Sequence, residues 1–305
     1  MESEILEVPG ARLDVVQWRP SGEPIATVQL VHGMAEHIRR YDHFARRLAD
    51  AGYWVFGHDH RGHGRSAEHS DVRLGHMGAF RSAVEDIRRV AGHVRGESSL
   101  KGALFAHSMG SFMAQELLLD HPDHADAWVL SGTNGKPPAI AAAGRLVARL
   151  ERWRKKPEVA SPLLQKLSFG RFNDGFEGRT EFDWLSRDPD QVDAYIDDPH
   201  CGFGVSTETW VGLLDAFGPM SDPYRQRHIP KDLPILLIVG SEDPVSEKSK
   251  GVQQLRGAYE AAGLNDVTLR IFEGARHEVL NETNRDEVEG VVMDWLTPHL
   301  AAAAR

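Results

Sequence analysis

Short apolar runs alternate with stretches of helical spacing, and that rhythm breaks off once before it resumes. The runs Ala26 to Val31, Tyr53 to Phe56, Gly102 to Ala106 and Ala127 to Leu130 are separated by Tyr41 to Ala51, Ala79 to Val94 and Met109 to Leu119. In those longer stretches apolar residues recur at three or four, the spacing of one helix face. After Ser131-Gly132 the rhythm stops for about a hundred residues, then returns with Ile235 to Val239, Val267 to Phe272 and the helical pattern Asp286 to Leu296. Runs without polar alternation are buried on both faces, and strands joined through helices pair in parallel. The pattern predicts an α/β fold: a mostly parallel central sheet with helices on both faces.

The gap reads as an insertion, so the chain divides into a core of residues 1–132 and 230–305 and an inserted segment of 133–229. The segment opens with Lys136-Pro137-Pro138 and continues with a helix on which Ile140, Ala143, Val147 and Leu150 share one face, while Arg145, Arg149 and Arg152 occupy others. Phe169 to Phe176, Tyr195 to Phe203 and Trp210 to Phe217 are rich in aromatics and glycine. Two readings stand: a helical subdomain packed on its own core, or a lid over a ligand pocket.

Composition narrows the function classes. At 41% apolar and 26% charged residues the chain is an ordinary globular sequence, not a disordered or fibrous one. A formal net charge of −10 repels phosphate backbones and anionic headgroups, so nucleic acid is not an expected partner. The single cysteine, Cys201, can form no internal disulfide, and the acidic start Met-Glu-Ser-Glu lacks the apolar run of a signal peptide. A cytoplasmic setting is the expectation. No apolar stretch reaches the roughly 18 residues of a membrane-spanning helix, which leaves peripheral contact as the only route to lipid.

The strongest chemical signal is Phe105-Ala106-His107-Ser108-Met109-Gly110, where a predicted strand runs straight into a predicted helix. Small residues two before and two after a serine permit the sharp turn that lifts its Oγ above a sheet, with the helix N-terminus behind it. Ala106 stands where glycine is common in such turns, and alanine is the next smallest side chain. A serine is a weak nucleophile at its free pKa, so it needs a histidine base, itself oriented by a carboxylate. Two downstream strand ends supply them: Gly240-Ser241-Glu242-Asp243-Pro244-Val245 and Glu273-Gly274-Ala275-Arg276-His277-Glu278. Asp243 and His277 are the candidates, with Glu242 as rival acid and His228 and His299 as rival bases. Acyl transfer also needs N–H donors for the oxyanion. The backbone amides of Met109, after the serine, and of Met34, in Val31-His32-Gly33-Met34-Ala35-Glu36-His37, fill that role.

Sixteen histidines invite a metal reading, and His58-Asp59-His60-Arg61-Gly62-His63 superficially matches a zinc-hydrolase ligand run. Gly62 stands where such a run needs aspartate, so the segment reads instead as a hydrogen-bonded loop bracing the site.

These motifs resemble the monoacylglycerol lipase and lysophospholipase-like branch of the α/β-hydrolases, also called the serine aminopeptidase or Hydrolase-4 group. The resemblance is carried by His32-Gly33-Met34-Ala35-Glu36-His37 with Arg40-Tyr41, by Asp59-His60-Arg61-Gly62-His63-Gly64-Arg65-Ser66, by His107-Ser108-Met109-Gly110, and by the two loops holding Asp243 and His277 through Glu282. Phe182 to Asp188 and Asp198 to Phe203 look like the lid of bacterial members. The order Ser108, Asp243, His277 is the nucleophile, acid, base order of that fold. The resemblance implies an α/β-hydrolase fold with an inserted helical lid and a cofactor-independent serine esterase acting on acyl glycerols or lysophospholipids. A broad short-chain carboxylesterase is the alternative, and a small-ligand binding module on the same fold is the alternative from another class. An amidase reading is weaker, because no extra acid is identifiable for a substrate amine.

Overall fold

The structure, a computed structural model, describes residues 1–96, 98–135 and 140–301, with only the backbone of 140–143. Lys136-Pro137-Pro138 and the side chains of Ile140 and Ala143 therefore lie outside the described residues.

Among the described residues eight strands form one sheet: β1 (Glu2–Val8), β2 (Ala11–Trp18), β3 (Ala26–Val31), β4 (Tyr53–His58), β5 (Gly102–His107), β6 (Ala127–Ser131), β7 (Ile235–Gly240) and β8 (Val267–Phe272). Their order is β1-β2-β4-β3-β5-β6-β7-β8; β3 to β8 pair in parallel, and β1 and β2 add an antiparallel edge. Strands β3 to β7 are buried at every position, as runs with no polar alternation require.

Among the described residues eleven α-helices follow in chain order: α1 (Asp42–Asp50), α2 (Gly64–Ser70), α3 (Phe80–Arg95), α4 (Met109–Asp120), α5 (Ile140–Arg154), α6 (Pro162–Ser168), α7 (Pro189–Asp197), α8 (Thr207–Met220), α9 (Pro223–Gln226), α10 (Lys250–Ala261) and α11 (Arg285–Leu300). Helices α1 and α11 cover one face, where Phe44, Leu48, Val288 and Val292 pack on Val28, Phe105 and Val129. Helices α3, α4 and α10 cover the other. The edge pair β1 and β2 escaped the reading of the sequence, because Glu2, Ser3 and Glu4 mask the pattern of a strand exposed along most of its length.

Between β6 and β7 the chain makes α5 to α9. Trp210, Val211 and Leu213 of α8, with Leu164 and Ala148, belong to the same apolar cluster as Met113, Leu117 and Val239, so this segment shares a core with the sheet. Its second cluster, around Trp184, Leu185 and Tyr195, is small. The one-faced helix expected near residue 147 needs correction at Leu150, which is 51% exposed while Val147 is half-buried. Among the described residues no helix is long and apolar enough to cross a membrane.

Candidate active site

The sheet order reverses beside β3 and β5, and the crevice at such a reversal opens above the carboxyl ends of the strands. Ser108 stands there, directly between β5 and α4. Its backbone has φ 50° and ψ −121°, a conformation that costs a non-glycine residue of order 1–3 kcal/mol and is held only by its surroundings. The neighbours explain how. A Cβ on Gly110 would lie 2.4 Å from the His32 carbonyl oxygen, so α4 starts this close to β3 only with glycine there. Gly33 is constrained less severely and by side chains, since its Cβ would lie 2.7 Å from Glu36 Oε1 and 3.1 Å from Ser108 Cβ. The Ala106 methyl is fully buried in the core beneath the turn.

Ser108, Asp243 and His277 come together from the ends of three strands. Ser108 Oγ donates to His277 Nε2 at 2.9 Å, and His277 Nδ1–H donates to Asp243 Oδ1 at 2.9 Å. Asp243 is fully buried, and its Oδ1 also accepts from the Val245 N–H at 2.9 Å. Burial alone would lower the pKa of His277; the charge and hydrogen bond of Asp243, reinforced by Glu278 and Glu36, raise it above the ordinary value. The rivals lie elsewhere. Glu242 pairs with Lys248 at 2.7 Å at the surface. His228 donates to the Tyr224 carbonyl, and His299 lies between Trp295 and Asp266.

Met34 and Met109 flank the serine. The Met109 N–H opens α4 and has no partner within the helix. In the Met34 loop the Gly33 N–H donates to Glu36, and the Ala35 carbonyl accepts from Tyr195 Oη and the Gly202 N–H, both at 3.0 Å. Among the described residues the Met34 N–H has no acceptor.

His58, His60 and His63 do not converge on a common point. The two groups of three donors close enough to share an ion among the described residues are His37, Asp198, Cys201 and His43, Asp286, Glu289. The His60 backbone and ring instead bond His32, and Asp59 accepts from the Ile38 and Arg65 N–H groups, which ties this loop to the one after β3.

Three features went unread in the sequence. Arg40 bonds Glu278 through both terminal nitrogens, at 2.6 and 2.7 Å, and reaches Glu36 at 2.8 Å, joining the loops of Met34 and His277. Trp184 packs against the His277 ring with centroids 5.2 Å apart. Its carbonyl and that of Leu185 accept the His277 and Glu278 N–H groups, and Arg276 bonds the Asp183 and Ser186 carbonyls. The i, i+4 spacing of Glu36 and Arg40 was the one local sign of such a network.

A cavity of about 770 Å³ opens over Ser108, within the range of about 300–1,000 Å³ usual for small-molecule sites. Phe112, Val147, Leu164, Leu213 and Phe217 make its apolar wall, and Glu36, His107 and Glu278 its polar end.

Comparison with known proteins gives a consistent result. The family model described as Hydrolase_4, serine aminopeptidase S33, matches residues 22–284. A monoacylglycerol lipase of Mycolicibacterium smegmatis is 30% identical over 305 residues, covering 98% of both chains. The human monoglyceride lipase is 31% identical over 281 residues, covering 91% of this chain and 84% of its own. Among solved structures, a thermostable carboxyl esterase from Bacillus coagulans in complex with glycerol superposes with a TM-score of 0.90 at 26% identity, covering 98% of each chain.

Proposed function

The chain belongs to the Hydrolase_4, serine aminopeptidase S33, family, and from that premise we propose that it is a serine ester hydrolase of monoacylglycerol lipase type, with Ser108 as nucleophile, His277 as base and Asp243 as its orienting acid. Ser108 Oγ bonds to the ester carbonyl carbon as its proton passes to His277 Nε2. The negative charge that develops on the carbonyl oxygen is met by the Met34 and Met109 amides. Collapse breaks the bond to the alcohol, which leaves with the proton from His277. Water repeats the sequence on the acyl-enzyme and frees the carboxylic acid. Bonds and protons balance with these groups and water alone, so the reading calls for no cofactor.

The observation that carries the substrate assignment is the cavity. A reactive serine below an apolar wall of this size suits an acyl chain, and the polar end at Glu36, His107 and Glu278 suits the small alcohol. In this reading residues 133–229 act as a lid over a core of 1–132 and 230–305, in a cytoplasmic setting compatible with the lone Cys201. The two acids at the polar end do not favour an aminopeptidase. Both are taken up by Arg40, and Glu36 also by Gly33 and Tyr41, so neither is free for a substrate ammonium.

Specificity constants on monoacylglycerols below their aggregation limit are the test, with lysophospholipids and short esters in the same panel. Each buried methylene contributes about 0.8 kcal/mol, so kcat/KM should climb several-fold per added carbon until the cavity is full. A preference for acetyl or butyryl esters under those conditions would leave the short-chain carboxylesterase standing.

A further inference from the structure

We infer that His32 is a positioning residue for the oxyanion hole: its ring holds the peptide whose N–H is to meet the ester oxygen. This rests on the reading of Ser108 and Met34 given above.

The peptide joining Gly33 to Met34 has a polar group at each end. One is the Met34 N–H. The other is the Gly33 carbonyl, and it accepts a hydrogen bond from His32 Nδ1 at 2.8 Å. His32 Nε2 lies 2.9 Å from the backbone N–H of His60. A backbone N–H only donates, so Nε2 must carry the lone pair and the proton sits on Nδ1, the tautomer able to donate to Gly33. The strand order makes this possible, since β3 and β4 are neighbours and His60 follows β4 at the same end of the sheet as His32.

The preceding peptide is fixed at both ends as well. The His32 carbonyl accepts from His60 Nε2 at 3.0 Å, and the Gly33 N–H donates to Glu36. Turning the Met34 N–H away from the serine would break bonds made by His32 and His60, both fully buried, and leave their polar atoms unpaired. Burial, with His60 and His63 close by, holds the His32 pKa well below its ordinary value. The ring therefore stays neutral and keeps its acceptor toward His60. An amide whose carbonyl accepts a hydrogen bond is also a stronger N–H donor, so His32 both aims and strengthens the Met34 amide. The role accounts for His60 in the histidine-rich loop, which the proposed acyl transfer otherwise leaves without a task.

The test is a series of His32→Asn, His32→Gln and His32→Ala. An asparagine amide reaches the position of Nδ1, a glutamine amide that of Nε2, so only asparagine can restore the bond to Gly33. Steady-state constants on a monomeric ester are measured beside inhibition by an alkylboronic acid, whose tetrahedral serine adduct fills the oxyanion hole, and by a fatty alcohol, which does not need it. Losing a direct oxyanion donor costs about 10²–10³ in kcat, and a group acting through one peptide should cost about 10- to 100-fold. Glutamine and alanine should show that loss in kcat with KM nearly unchanged, weaken the boronic acid by a similar factor, and leave the alcohol unaffected. Asparagine should recover most of it. An asparagine variant no better than glutamine, a loss confined to KM, or a folded alanine variant with near-normal kcat would overturn the inference. Should the alanine variant fail to fold, the better-filling asparagine and glutamine variants carry the comparison. Ser108→Ala runs alongside: if it retains turnover the nucleophile reading falls, whereas an inert Ser108→Ala beside an unaffected His32 series overturns this inference alone.

Discussion

Helices α4 and α5 both carry apolar residues around more than one face, yet they sit in opposite surroundings. In α4, 10 of 12 residues are buried, because the sheet lies beneath it and α3 and α8 beside it. In α5, Ala148 is buried while Leu146, Leu150 and Trp153 are 71%, 51% and 82% exposed, and Leu163 and Leu167 of α6 extend the apolar surface. Apolar side chains thus serve two ends. An enclosed helix carries the serine on a rigid support, and an uncovered one offers an apolar surface beside the cavity, whose wall includes Val147, Leu164 and Leu167. The nearby basic residues are turned to internal use, since Arg145 and Arg149 pair with Asp215 and Arg152 with Glu208. Contact with an aggregated substrate would therefore fall to the apolar side chains.

This contrast breaks most sharply at the foot of α4. Ser108→Ala should leave the fold intact and lower turnover by about 10⁴-fold or more, with fluorophosphonate labelling lost from that residue; near-normal activity in a folded variant would remove the serine from its role. Asp243→Asn should cost on the order of 10⁴-fold by leaving the imidazole in the wrong tautomer. Glu242→Gln should change little, because that carboxylate faces Lys248 and solvent. The reverse ranking would transfer the acid to Glu242.

Next in size is the response to pH. In the proposed mechanism the base works only when neutral, and the His277 pKa is raised above the ordinary 6.5. The acid limb of kcat/KM should consequently have its midpoint above pH 6.5, with activity falling about tenfold per unit below it. A midpoint below 6.5 would show that Asp243 does not dominate the imidazole.

The smallest effects belong to α5. Replacing Leu146, Leu150 and Trp153 together by serine should reduce hydrolysis of monoacylglycerol presented in micelles or neutral vesicles by several-fold to tenfold, from side chains each worth about 1.5–3 kcal/mol when fully buried. Turnover of a short monomeric ester should stay within about twofold, since none of the three lines the cavity. Equal losses on both substrates would mean that α5 supports the fold and nothing more.

What was legible in the sequence follows the range of the interactions. Strands β3 to β7 announce themselves because burial on both faces leaves a largely apolar run, whereas β8, buried only at Phe272, shows itself more weakly through Val267, Leu269, Ile271 and Phe272. The serine turn shows itself through Ala106 and Gly110, which sterics require within two residues of Ser108. The order of Ser108, Asp243 and His277 is equally plain in the chain. The Arg40 link to Glu278 joins residues 238 positions apart, and no local spacing marks it. Trp184 against His277 is of the same kind. For α5 the limitation is different, since helical periodicity shows which residues share a stripe but not whether protein covers that stripe.

The contact between Trp184 and His277 has an optical consequence. An excited indole is quenched far more efficiently by an imidazolium ring than by a neutral imidazole at the same distance. His107, whose ring lies 4.6 Å from that of His277, is held neutral by burial, so it does not contribute a competing titration. The emission that disappears in a Trp184→Phe difference spectrum should therefore follow the protonation of His277 itself. Resting protein, with no substrate and no turnover, then reports the charge on this ring as a brightness.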